Sequence, residues 1–184
     1  MDAWVWVIIA VAILAAAVLA GLAWLQARRR RLQKTFGPEY ERALADAPTR
    51  REAEAELEDR RKRREELEIR PLASDAAQRY QHEWEGIQVR FVDDPVGATR
   101  DADRLVQQVM SDRGYPMDDF EARADLISVD HPTVVENYRQ AHSAYVAYDR
   151  GDASTEDLRQ AMVHYRSLFD ELVRTDERAY EEVR

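Results

Sequence analysis

The stretch Ala3 to Arg31, AWVWVIIAVAILAAAVLAGLAWLQARRRR, decides the architecture. From Ala3 to Ala27 there is no charged side chain, and Gln26 is the one strongly polar residue. Arg28, Arg29, Arg30 and Arg31 follow at once. At 1.5 Å of rise per residue such a helix reaches roughly 35 Å, enough to cross a hydrocarbon core of about 30 Å with some tilt. A helix also satisfies its own backbone polar groups, which lipid cannot do. Trp4 and Trp6 at one end and Trp24 at the other place indoles at both headgroup levels. A transmembrane anchor is therefore expected over residues 1–27, with the bilayer as its first partner.

Two rival readings are weaker. A soluble core helix rarely stays apolar all round for so long. A cleaved signal peptide carries its basic residues before a shorter apolar run; here the basic cluster comes after it. Arginine and lysine near a span stay on the cytoplasmic side. Arg28 to Arg31 and Lys34 have no side-chain cation to oppose them at the start of the chain. The expected topology is single-pass in the cell membrane, N-terminus out and C-terminal domain cytoplasmic. Small residues at Ala12, Ala16 and Ala20, and at Ala17 and Gly21, have the four-residue spacing that permits a homodimer, although an alanine-rich span shows it by chance.

Beyond the anchor about 155 residues remain, the size of one domain with a stalk. The chain has no cysteine, which excludes disulfides, thiolate catalysis and zinc–thiolate sites. Charge divides unevenly. From Gln26 to Arg70 there are 14 basic and 11 acidic residues, net +3; from Pro71 to Arg184 there are 13 and 24, net −11. With Asp2 these give the −9 of the whole chain. The proximal part is drawn to anionic headgroups, whereas the distal part is repelled by nucleic acid, so no nucleic-acid partner is expected.

Local signals place the helices. Phe36-Gly37-Pro38 breaks the helix that leaves the membrane, and Pro38 suits the first turn of a short one. Thr49 stands three residues before Glu52, a capping box that starts a helix from Arg50 to Ile69. That helix is charge-dense, with Glu56–Arg60, Glu58–Lys62 and Asp59–Arg63 at spacing four and the acid first, which supports an isolated helix. It reads as a solvent-bridging stalk, so residues 28–70 form a basic juxtamembrane segment and stalk.

From residue 71 to 184 the pattern becomes amphipathic. Ser74 is placed to cap a helix bearing Ala77, Tyr80, Trp84, Ile87 and Phe91 on one stripe. Asp94-Pro95 restarts the chain for Ala98, Ala102, Leu105, Val106, Val109 and Met110, and Gly114 stops it. A short helix is expected from Asp118 to Leu126. Asp130-His131-Pro132 then begins one carrying Val135, Tyr138, Ala141, His142, Tyr145 and Tyr148, ended by Gly151. Ser154 and Asp157 open the last, with Leu158, Ala161, Met162, Tyr165, Leu168, Phe169 and Leu172 inward. No segment alternates with period two. The expected fold is all-α: a transmembrane helix, a charged stalk helix and an acidic antiparallel helical bundle.

Catalytic motifs are missing. His82, His131, His142 and His164 include no pair at spacing four and no Glu-x-x-His repeat, so no metal or cofactor is expected. Asp93-Asp94 and Asp118-Asp119 read as helix caps rather than acid–base pairs. The corners Arg113-Gly114-Tyr115-Pro116 and Asp130-His131-Pro132 combine charge, aromatic and rigid backbone. They are the candidate recognition loops, through Arg113, Tyr115, Pro116, Asp130 and His131.

Arg79-Tyr80 with Trp84, Phe91-Val92-Asp93, Arg113-Gly114-Tyr115-Pro116, Asp119-Phe120-Glu121, Val129-Asp130-His131-Pro132 and Ala161-Met162-Val163-His164-Tyr165-Arg166 together resemble an uncharacterised family of bacterial single-pass membrane proteins. The resemblance spans most of the chain to Val173 and implies architecture, without an activity. The leading expectation is a membrane-anchored interaction or scaffold module for an unknown cytoplasmic protein partner. A ligand-responsive regulator with a pocket at Tyr138, Tyr145 and Tyr165 is second, and an enzyme is last.

Overall fold

In a computed structural model describing residues 3–182, the chain is all-helical, with no strand among the described residues. The helices are α1 (Ala3–Phe36), α2 (Pro38–Asp46), α3 (Arg50–Glu65), α4 (Ser74–Arg90), α5 (Pro95–Arg113), α6 (Phe120–Asp130), α7 (Val135–Asp149) and α8 (Thr155–Glu182). Two compact units, Met1–Glu58 and Asp59–Arg184, divide within α3.

In the first unit α1 is long and apolar enough to cross a membrane. Trp4, Ile13, Leu14, Leu19 and Trp24 are 63–66 % exposed along it, a surface water would not favour. The helix does not stop at the arginines. It runs on to Phe36, where Gly37 turns the chain at φ 47° and Pro38 opens α2 at its first position. Leu32 and Phe36 at this end are buried, as are Tyr40 and Ala43 of α2 and Ala53 and Leu57 of α3. Thr49 caps α3: its hydroxyl oxygen accepts from the Glu52 N–H at 3.3 Å and donates to Glu52 Oε1 at 2.9 Å.

The stalk expectation needs two corrections. α3 is not solvent-bridging all round, because Ala53, Glu54 and Leu57 form a buried face. It also ends at Glu65 rather than Ile69. The residues beyond are drawn into the bundle instead. Leu72 is buried, Leu67 and Ile69 pack on the core, and the Arg70 N–H donates to the Arg113 carbonyl at 2.9 Å. The second unit thus begins before the expected boundary at Pro71: Arg60 pairs with Asp125 at 3.0 Å and Arg64 with Asp130.

Within the second unit α4 packs on α5, α5 on α8, α8 on α7 and α7 on α6. The expected stripes supply most of the core, although Tyr80, Phe91, His142, Tyr145 and Tyr148 are only half-buried. Ala77, Trp84 and Ile87 of α4 are buried, with all six residues named for α5 and all seven named for α8. Trp84 stacks on Phe169 at 4.8 Å between centroids, and Arg166 donates to Gln88, so α4 runs opposite to α8. Asn137 with Ser167 and His131 with Glu171 set α7 opposite to α8 as well. Tyr165 with Asp103 and Arg113 with Leu172 show that α5 and α8, the inner pair, run the same way. Direction therefore alternates among the four long helices α4, α5, α7 and α8, while the contact between α5 and α8 is parallel.

Caps match their residues with two exceptions. Asp94 accepts from the Gly97 N–H at 2.9 Å and Asp119 from the Ala122 N–H at 2.8 Å. Ser154 and Asp157 form a reciprocal box, Ser154 N–H to Asp157 Oδ2 at 2.7 Å and Asp157 N–H to Ser154 Oγ at 3.3 Å. Ser74, expected as a cap, is instead the first helical residue, with Ala73 before it. Asp130 ends α6 instead of opening α7, since its carboxylate is already taken by Tyr115 and Arg64. Pro132 has no N–H to extend α6, and α7 starts at Val135.

Candidate functional site

The two candidate corners meet. Arg113 ends α5, and Gly114 takes a left-handed conformation at φ 99°. The Tyr115 N–H then reaches back to the Met110 carbonyl at 3.0 Å, closing a Schellman turn. This aims the Tyr115 hydroxyl at Asp130 Oδ2, to which it donates at 2.6 Å; Arg64 Nε donates to the same oxygen. Arg113 Nη1 donates to the Leu172 carbonyl at 2.6 Å, and His131 Nδ1 lies 3.6 Å from Glu171 Oε1. One joint thus ties the ends of α3, α5 and α6 to the middle of α8.

Burial changes what these residues do. Arg113, Tyr115 and His131 are only 6 %, 3 % and 4 % exposed. A recognition loop must meet solvent, so the expectation for these three is corrected: they form an internal fastening. Pro116 is half-buried. Asp130 is exposed as a residue, but its carboxylate is already bonded. Burial holds the Tyr115 phenol far above its ordinary range, and the Asp130 carboxylate adds to this. Burial, then the Arg113 cation, lowers the His131 pKa from its ordinary 6.5, against the opposing pull of Asp130 and Glu171. The corner is also strapped from outside: Arg70 Nε donates to the Asp112 carbonyl at 3.2 Å and the Tyr80 hydroxyl to Asp112 Oδ2 at 2.7 Å. Burial and that carboxylate push the Tyr80 phenol up to about 12.

A second polar network, which the apolar stripes concealed, runs through the bundle. Asp103 accepts from the Tyr165 hydroxyl at 3.0 Å and from Gln107 Nε2 at 2.5 Å. Burial still raises the Asp103 carboxyl above its usual range. Buried Arg123 donates to the Tyr138 hydroxyl at 3.4 Å and to the Asp118 carbonyl at 3.3 Å. His142 stacks on Phe120 at 3.8 Å, and burial lowers its pKa. The sequence signal for Arg123 was available in retrospect, one cation set into Phe120–Ile127 three residues before Leu126.

Both networks bond mainly inward, while both His131 ring nitrogens and His142 Nδ1 are buried without a hydrogen bond. Tyr138 and Tyr165 are fully buried and meet edge to face at 6.3 Å. A shallow depression lies beside the network, bordered by Arg104, Gln107, Gln108, Ser111 and Met117. Among the described residues, no three His, Asp or Glu side chains gather as metal ligands.

An exposed basic surface lies at the end of α1 beyond Trp24. Arg28 lies over the Trp24 ring, 6.0 Å from its centroid. Arg29 pairs with buried Glu54 of α3 at 3.3 Å, and Glu54 also accepts from the Tyr40 hydroxyl at 2.9 Å. Burial and then Glu54 raise the Tyr40 pKa. Arg30, Arg31 and Lys34 are exposed. No family model, curated protein or solved structure matches the chain.

Proposed function

We propose that this chain is a membrane-anchored cytoplasmic module: α1 spans the bilayer and the acidic helical unit that follows is presented to a protein partner. The observation that carries this reading is the sharp change of surface along one helix. Among the described residues, Trp4, Trp6, Ile13, Leu19, Trp24 and Leu25 stand open, and arginine begins at Arg28. Lipid removes the cost of exposing the first part, and the positive-inside rule favours the arginines on the cytoplasmic side. The motif resemblance to bacterial single-pass membrane proteins agrees with this placement. The interaction role is supported by the inward use of the polar side chains, Tyr115 bonding Asp130 and Tyr165 bonding Asp103. The test is a crosslinking pull-down of the full chain from membranes, compared with a chain in which α1 is exchanged for an unrelated span. A specific protein retained by both supports a partner of the helical unit. Capture of nothing above background by either overturns the interaction role.

A further inference from the structure

The basic cluster at the end of α1 is not one undivided charge. Arg29, Leu32 and Phe36 fall at spacings of three and four, so they share one face. That face is occupied: Leu32 and Phe36 are buried and Arg29 is held by Glu54. Arg30, Arg31 and Lys34 fall together on another face, Lys34 being three and four residues after them. They are exposed, and no acidic side chain pairs with them among the described residues. Trp24, with the Arg28 guanidinium over its ring, sits about two to three turns earlier, where an indole marks headgroup depth. Resting on the membrane reading above, we infer that Arg30, Arg31 and Lys34 form a binding face for the phosphate of an anionic phospholipid, while Arg29 serves the fold.

Length agrees with this occupant. Lys34 lies roughly 10 Å along the helix beyond Ala27, and the headgroup layer is about 5–8 Å deep. Three long cationic side chains projecting from that depth reach phosphate directly. Because α1 continues as a helix to Phe36, the three are held in register rather than on a loose tail.

The full chain in nanodiscs of equal phosphatidylglycerol and phosphatidylcholine provides the test, with retained lipids counted by native mass spectrometry. Phosphatidylglycerol should be enriched about fivefold per engaged cation, and the enrichment should fall as salt rises. Arg30→Gln/Arg31→Gln/Lys34→Gln should bring it near unity. Arg29→Gln should leave it unchanged, and Arg30→Lys/Arg31→Lys should retain it. Equal retention of the two lipids by inserted wild type, or undiminished enrichment in the triple variant, overturns the lipid face and leaves the anchor intact. Loss of enrichment with inorganic phosphate, beyond a chloride control of equal ionic strength, assigns the face to soluble phosphate and overturns it too. A chain that never enters nanodiscs defeats the membrane reading itself.

Discussion

Gly114 and His131 show how single positions hold the joint between helices. At φ 99° Gly114 already occupies a region other residues rarely enter, and a Cβ there would stand 2.7 Å from the Glu68 carbonyl oxygen. That neighbour is backbone, so it does not give way easily. Gly114→Ala should therefore cost more than about 1 kcal/mol in urea unfolding of the detergent-solubilised chain, through strain and the loosened strap. Tyr115→Phe should cost about 1 kcal/mol by losing its bond to Asp130. His131 gives a pH dependence. Its folded pKa lies below 6.5, so the unfolded chain takes the proton more readily. Stability is complete above the ordinary value and falls as pH drops through it toward the folded value. His142 acts in the same direction, while Asp103, with its raised pKa, gains stability as pH falls through its own folded value. His131→Gln should flatten the decline below about pH 6.5; an unchanged slope would remove His131 from the linkage.

Helices were readable where their ends carry chemistry. Asp94, Asp119 and the Ser154–Asp157 box each satisfy a free N-terminal N–H, and each had been legible as a cap. Asp94→Ala should cost about 1 kcal/mol, measured as a lowered urea midpoint with unchanged denaturant slope. The start of α7 was misplaced because distant side chains competed for its cap. Asp130 looks like an N-cap beside Pro132, yet Tyr115 and Arg64 claim its carboxylate. The α4–α8 contact offers a sharper trial. Trp84 stacks on Phe169, but its indole N–H is buried without a hydrogen-bond partner. Trp84→Ala should cost about 3–5 kcal/mol by leaving a cavity. Trp84→Phe should cost clearly less, because it keeps a ring for stacking and removes the unsatisfied donor. Equal losses for the two would mean that the stacking geometry is wrong.

At the scale of the whole molecule, the charge-dense middle is where the sequence reading and the structure diverge most. Glu56, Glu58 and Asp59 with their i+4 partners read as a self-sufficient helix, since local pairs were all the pattern displayed. The arginines also serve more distant partners: Arg60 and Arg139 both approach Asp125, at 3.0 and 3.7 Å, and Arg64 reaches Asp130. Under the proposed topology, the full chain should remain in the pellet after alkaline carbonate extraction of membranes. A phosphatase fused at its C-terminus should stay inactive unless exported. Release into the supernatant would contradict the anchor, and an active fusion would contradict the orientation.

Much of the candidate corner's composition was legible, but its role was not. Charge beside Gly and Pro marks a turn in any sequence, whereas burial is a property of what the rest of the chain lays over that turn. The apolar run, the arginines after it, the amphipathic stripes and most caps are local patterns. Helical periodicity and lipid compatibility depend only on neighbours within a few residues, so these were determined by the sequence itself. The parallel inner pair of α5 and α8, the strap from Glu68 to Leu72, and the division of Arg29 from Arg30 and Arg31 were decided by tertiary structure. Each depends on a partner far along the chain, and burial and hydrogen-bond competition exist only once those partners meet.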